Sequence, residues 1–211
     1  MVSASAKQRS RSAGQLVILS APSGAGKTSL AKALAGSIAN FEVSISHTTR
    51  PARKVEEDGV DYFFVSRAVF EHMIAADDFL EYALVFDHLY GTAQEPVKAA
   101  LESGCSVTLD IDWQGARKVR AIIPEAISVF IAPPSLDDLE RRLIGRRRDS
   151  DEIIRRRMNE AINEISHYSE FDYVIVNEDF ITALEELCGI VLTGQVPSSS
   201  KEFNPATFLQ S

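Results

Sequence analysis

The chain has 211 residues, 45% of them hydrophobic and 25% charged, with a formal net charge of −8. That is enough for one compact domain with a real core, and the acidic balance gives no global field toward nucleic acid. No apolar run approaches the ~18 residues of a membrane span, and the opening MVSASAKQRSRSAG lacks the apolar stretch of a secretory signal.

Residues 1–13 read as a disordered N-terminal arm. Leu16 to Ser20 then reads as a short buried strand bounded by a glycine-rich turn, with a helix from Lys27 to Ala39 carrying Leu30, Ala33, Leu34 and Ile38 at helical spacing. VSIS (43–46), SVTLDI (106–111), ISVFIA (127–132) and DYVIV (172–176) read as four more strands. Between them lie the helical patterns EPVKAALESG, WQGARKVRAI, SLDDLERRLIGRRR and DEIIRRRMNEAINEIS, and a last helix runs from Ile181 to Leu192. This alternation predicts an α/β fold, a parallel sheet with helices on both faces. The stretch 47–95 breaks the rhythm and reads as a small α+β insert with its own hairpins, including a helix from Arg67 to Ala76 capped by Ser66. Residues 196–211 read as a loose C-terminal tail. Cys105 and Cys188 read as two buried free thiols in a reducing cytosol, the compact single-domain form suggests a cytosolic enzyme and so the cytoplasm, and the four histidines make no metal-ligand spacing.

The first chemistry lies in Ala21, Pro22, Ser23, Gly24, Ala25, Gly26, Lys27 and Thr28. This is the phosphate-loop pattern G-x-x-x-x-G-K-[ST] with alanine at its first position, and it stands between a predicted strand and a predicted helix, as the pattern requires. Backbone N–H groups of such a loop converge on phosphates at the positive end of the helix. Lys27 would reach the β/γ oxygens of ATP, and the Thr28 hydroxyl would ligate Mg²⁺. Asp110 ends a predicted parallel strand, where ligands of open α/β sheets gather, and suits the acidic residue that positions Mg²⁺ and its waters.

A loop cannot name the acceptor. Arg50 and Arg53 lie three apart, followed by Tyr62; guanidinium forks and a phenol suit phosphate oxygens, as they also suit a solvated surface. Glu81 sits among apolar and aromatic residues in FLEYALVFDHLYGT, as a reader of N–H donors or as an exposed position on a strand's wet face. Guanine offers one carboxylate an N1–H and a 2-amino group together, and adenine offers no such pair.

Taken in order, SAPSGAGKTSL, SHTTRPAR, DYFFV, FLEYA, LYGT, LDIDWQG, FIAPPS, LERRLIGR and VIVN, spread over about residues 15–195, resemble guanylate kinase, the P-loop family that phosphorylates GMP with ATP. The resemblance implies that Arg50, Arg53, Tyr62 and Tyr90 hold the GMP phosphate. It implies that Ser46, Glu81, Thr92 and Asp112 read guanine, that Asp110 lies near the metal, and that Asn177 lies near the adenine. In the arginine-rich stretch, Arg142 and Arg146 share a helix face at i,i+4, and Arg157 comes from the returning helix. The resemblance makes these three the lid arginines that close over the triphosphate. With Lys27 and Arg50 they form the expected catalytic set. Lys54 and Val55 depart from the family pattern after Arg53.

The expectation is therefore a P-loop NTPase-type core (14–44, 97–133 and 167–195), a GMP-binding insert (45–96) and a helical lid (134–166). Its expected activity is Mg²⁺-dependent transfer of the ATP γ-phosphoryl group to GMP in purine nucleotide metabolism, with small-molecule partners and neither nucleic acid nor membrane. Two alternatives stand beside it: a kinase of a sugar phosphate such as ribose 1,5-bisphosphate, which needs no guanine reader, and a non-catalytic guanylate-kinase-like binding module, which lacks the phosphate loop and lid.

Overall fold

Every residue of β1, Leu16–Ser20, is buried, so the strand must have cover on both faces. The computed structural model, which describes residues 13–85, 87–145, 151–195, 203 and 208, supplies that cover. Val17 and Leu19 face one way, into a core shared with Leu30 and Leu34 of α1 (Lys27–Ser37) and with Leu187 and Ile190 of α7 (Phe180–Thr193). Leu16 and Ile18 face the other way, toward Val97 of α3 (Gln94–Glu102) and Val119 of α4 (Trp113–Ile122).

The main sheet has the order β2-β7-β1-β8-β9, with β2 at Phe41–Val43, β7 at Ser106–Asp110, β8 at Ile127–Ala132 and β9 at Tyr173–Val176. All its pairings are parallel. β1 lies at the centre, Leu19 level with Asp110 on one side and Ser20 level with Phe130 on the other. The strands therefore end together, and the loops after β1, β7, β8 and β9 share one edge.

A second sheet, β4-β3-β6-β5, lies between β2 and β7 in sequence. Its strands are β3 (His47–Thr48), β4 (Phe63–Phe64), β5 (Phe79–Val85) and β6 (His88–Ala93). The β5–β6 hairpin turns at Asp87, whose φ is 69°. Helix α2, Arg67–Ala75, packs Phe70 on Phe79, and Ser66 caps it by accepting the Val69 N–H. Helices α5 (Leu136–Gly145) and α6 (Asp151–Ser166) pack through Leu139, Leu143 and Ala161.

The segment predicted as a strand at 43–46 pairs earlier, at Phe41–Val43. Ser44 N–H still donates to Thr108 O, and the chain then leaves the main sheet to reach β3. The three residues of β2 alternate rather than forming a buried run, so the apolar pattern alone marks its edge poorly. From the predicted tail, Phe203 and Phe208 are described: Phe203 meets Tyr168 edge-on and Phe208 is buried against the α3/α4-side core.

The turn into β9 depends on a reciprocal pair. Asp172 Oδ2 accepts both the backbone N–H (2.9 Å) and the hydroxyl (2.7 Å) of buried Ser128, while Ser128 Oγ accepts the Asp172 N–H at 3.0 Å. Asp172→Ala removes the acceptor and leaves a buried donor unmet, a cost of about 1–3 kcal/mol. Thermal unfolding should show Tm several degrees lower; an unchanged Tm would mean the strand end holds without this pair.

Candidate active site

The loop after β1 turns on two glycines with left-handed backbone, Gly24 at φ 98° and Gly26 at φ 96°. Each also has a neighbour where a side chain would stand. At Gly24 a Cβ would lie 3.1 Å from Leu139 and Leu143 of α5, and at Gly26 it would lie 2.6 Å from Asn177 Nδ2. Asn177, buried at the end of β9, donates that amide to Ala25 O at 2.7 Å. Arg142 in turn donates to the Asn177 carbonyl at 2.9 Å.

Asp110 joins the loop to β7. One oxygen pairs with Lys27 Nζ at 2.9 Å and the other accepts the Thr28 hydroxyl at 2.6 Å. Lys27 also donates to Ile111 O at 2.7 Å. Burial works hardest against the ammonium charge, but Asp110, Glu164 and Asp112 together outweigh it and hold the Lys27 pKa above its ordinary value.

Facing the loop is an arginine clamp. Arg50 forks onto Glu56 through both terminal nitrogens (2.8 and 2.9 Å), and its Nε donates to the Tyr90 hydroxyl at 3.2 Å. Glu56 also accepts the Arg53 backbone N–H at 2.7 Å, and the Arg53 guanidinium lies 3.6 Å away. Desolvation would raise the Glu56 pKa, yet the Arg50 hydrogen bonds bring it below the usual range. Tyr62 meets Tyr90 edge-on at 5.9 Å. Burial, with help from Asp110, pushes its phenol up to about 12, so it remains a donor.

Beyond the clamp lies Glu81, only 5% exposed on β5. One of its oxygens accepts the Thr92 hydroxyl at 2.7 Å. Burial pushes its pKa to about 7, against the pull of the Thr92 hydrogen bond. Asp112 caps α4, its Oδ1 accepting the Gly115 N–H at 2.8 Å and its Oδ2 accepting from Gln114 at 2.9 Å.

One cleft of about 270 Å³ joins these groups. Ala21, Pro22, Ser23, Gly24, Gly26, Lys27 and Thr28 line one end; Ser46, Arg50, Arg53, Tyr62, Glu81 and Tyr90 line the other; Asp110, Asp112 and Arg157 lie between. Ala25, Thr92, Arg142 and Asn177 stand behind this wall: Thr92 supports Glu81, and Asn177 supports the loop. Arg146 lies outside the described residues. Residue-by-residue reading missed two groups. Glu56 occupies the Arg50 fork, and its signal was a carboxylate three residues after Arg53. Glu164 of α6 lines the cleft seven residues after Arg157, with Oε2 buried and unpartnered and its pKa pushed by burial to about 8 despite Lys27.

Thr28 and Asp110 offer hard oxygen donors at the loop, and no group of three His, Cys, Asp or Glu side chains among the described residues could hold an ion unaided. Such a sparse set fits a cation that keeps waters and takes substrate phosphates as ligands.

The guanylate kinase family profile matches residues 13–193. The chain belongs to the guanylate kinase family. A guanylate kinase of Hahella chejuensis is 58% identical over 174 residues, covering 82% of this chain and 84% of the relative. One from Hydrogenovibrio crunogenus is 54% identical over 183 residues, covering 87% and 89%. The crystal structure of guanylate kinase from Anaplasma phagocytophilum superposes with a TM-score of 0.74 at 34% identity, covering 89% of each chain. In this guanylate kinase family member, as in that fold, a parallel sheet is flanked by helices. No helix among the described residues is long and apolar enough to cross a membrane.

Glu81 gives a direct electrostatic test. Its folded pKa of about 7 lies above the ordinary 4.5, so the native state binds more protons and stability falls as pH rises between these values. Glu81→Gln should gain stability relative to the parent above pH 7, and the gain should fade below about pH 4.5. NMR titration of the Glu81 carboxyl carbon should give a midpoint near 7, moved higher by Thr92→Val; a midpoint near 4.5 would refute the burial argument.

Proposed function

We infer that the chain is an ATP:GMP phosphotransferase, a nucleoside monophosphate kinase of purine nucleotide metabolism. The observation that carries the reading is one cleft in which a phosphate loop with Lys27 and Thr28 faces an Arg50–Tyr62–Tyr90 clamp and a buried carboxylate. The sugar-phosphate kinase gives no use to Glu81, and the non-catalytic module gives none to Lys27 and Thr28, so neither is favoured.

In this reading the loop N–H groups and Lys27 take the β- and γ-phosphates of ATP. Arg50, Arg53, Tyr62 and Tyr90 take the GMP phosphate, which displaces Glu56 from the Arg50 fork. Glu81 accepts guanine N1–H and the 2-amino group, with Ser46, Thr92 and Asp112 completing the base pocket. Asn177 acts at the adenine end through the loop it supports. A GMP phosphate oxygen attacks the γ-phosphorus in line, a new P–O bond forms, the bond to the β-phosphate oxygen breaks, and ADP leaves. The GMP phosphate is already ionised, so no side chain has to remove a proton. Catalysis is positioning plus stabilisation of spread negative charge, supplied by Lys27, Arg50, Arg142, Arg146 and Arg157.

The reaction needs a divalent metal, which we propose is Mg²⁺; Thr28 and Asp110 would hold it, and when bound it would supply neutralisation of phosphate charge. The insert (45–96) and the lid (134–166) close over the core and exclude water that would otherwise hydrolyse ATP. Both cysteines are free thiols, half-buried rather than buried as expected, and the cytoplasm is the compartment we propose.

Lys27→Ala should lower kcat by about 10²-fold or more with circular dichroism unchanged; near-parent turnover would remove Lys27 from the chemistry. Glu81→Gln should erode the preference for GMP over AMP, since a site built for substrate N–H donors rejects analogues lacking them by up to about 10⁴–10⁵. Equal ratios in parent and variant would dismiss Glu81 as the reader. The deciding assay is ADP release with GMP, AMP, ribose 1,5-bisphosphate or no acceptor. Turnover with GMP alone is expected. Turnover with the sugar phosphate alone would transfer the function to that alternative, and GMP binding without any turnover would favour the binding module.

A further inference from the structure

Gly115 occupies the first turn of α4, and its N–H is held by Asp112 Oδ1 at 2.8 Å. Its backbone is ordinary helix, a conformation open to any residue, and glycine in a helix is less favourable than alanine. Backbone geometry therefore gives no reason for glycine here. The space beside it does. A Cβ at this position would lie 2.5 Å from Glu81 Oε2 and 3.1 Å from Glu81 Cδ, with Asp112 Oδ1 at 3.4 Å. The carboxyl end of Glu81 rests directly against the bare Cα of Gly115.

We propose that Gly115 is a specificity-determining position for the acceptor base: by carrying no side chain it lets the Glu81 carboxylate seat against α4 beside Asp112. This rests on Glu81 as the guanine reader. The group that a methyl would strike is the free end of a flexible side chain rather than backbone, so the fold can accommodate the methyl by moving Glu81. Relief requires a displacement of ~1 Å, and misplacement of that size costs about 10²-fold at a site of defined geometry. The opposite oxygen of Glu81 is tied to Thr92 at 2.7 Å, so the carboxylate cannot retreat without straining that bond. Reading N1–H and the 2-amino group together requires both oxygens in the plane of the base, and a side chain at 115 would tilt them out of it. Gly115 would touch no substrate atom itself; it acts through Glu81.

The test is Gly115→Ala, assayed for kcat and KM with GMP and with IMP, which keeps N1–H but lacks the 2-amino group, alongside KM for ATP and thermal unfolding. The GMP/IMP ratio of kcat/KM should contract about tenfold or more, mainly through KM for GMP. KM for ATP should stay within twofold, and Tm should be equal or higher. Glu81→Gln is measured in parallel. A ratio that collapses in Glu81→Gln but stays intact in Gly115→Ala overturns the role of Gly115 and leaves the reader standing. A ratio unchanged in both overturns the reader, and this proposal with it. A lower Tm with GMP and IMP impaired equally assigns Gly115 to packing alone and also overturns the proposal.

Discussion

One carboxylate, Asp110, fixes the relation between the phosphate loop and the rest of the cleft. It stands at the end of β7, level with Leu19 of β1, and reaches Lys27 with one oxygen and Thr28 with the other. The parallel register makes this possible, because neighbouring strands that end at one level deliver their following residues to one edge. Beside Lys27, the same half-buried carboxylate, with Glu164 and Asp112, keeps the ammonium charged where desolvation alone would favour its neutral form. An ordered, charged lysine at a helix N-terminus is an arrangement that suits phosphate oxygens.

The cleft answers the general problem of gathering cations in a confined space by giving them carboxylate partners. Lys27 has Asp110, while Arg50 and Arg53 have Glu56. Two carboxylates, Glu81 and Glu164, are left where burial pushes their pKa values to about 7 and about 8. In the function proposed above, phosphate groups entering the cleft would exchange one set of anions for another, so binding would not create buried charge from nothing. Glu56 holds the Arg50 fork in the planar, two-point geometry that a phosphate also uses.

Much of the core was legible because its signals are local. The phosphate loop carries its glycines, lysine and threonine within eight residues, and α4, β8 and α6 begin and end where the apolar patterns predict. Ser66 announced α2 for the same reason. The second sheet was less legible. β3 and β4 have two residues each, too few to show a period, and they pair across a loop of 14 residues, 49–62. At the site, residue types gave the loop and suggested the clamp, while the roles proposed for Ser46, Thr92 and Asp112 came only through the family resemblance. The partnership of Glu56 with Arg50, the orphaned oxygen of Glu164 and the contact of Gly115 with Glu81 depend on distances that no spacing encodes.

The amide of Asn177 ties down the loop at Ala25 from 152 residues further along the chain. A chain emerging from the ribosome thus completes the sequence of its nucleotide loop early and acquires the group that braces it late, roughly 8–30 s later at ordinary rates of synthesis. β1 likewise waits for β7 and β8 before either of its edges is paired. The growing chain is in this sense timed: the loop is braced only when nearly all of the family domain has been made, and nascent chains that stop short of Asn177 leave Ala25 without that amide.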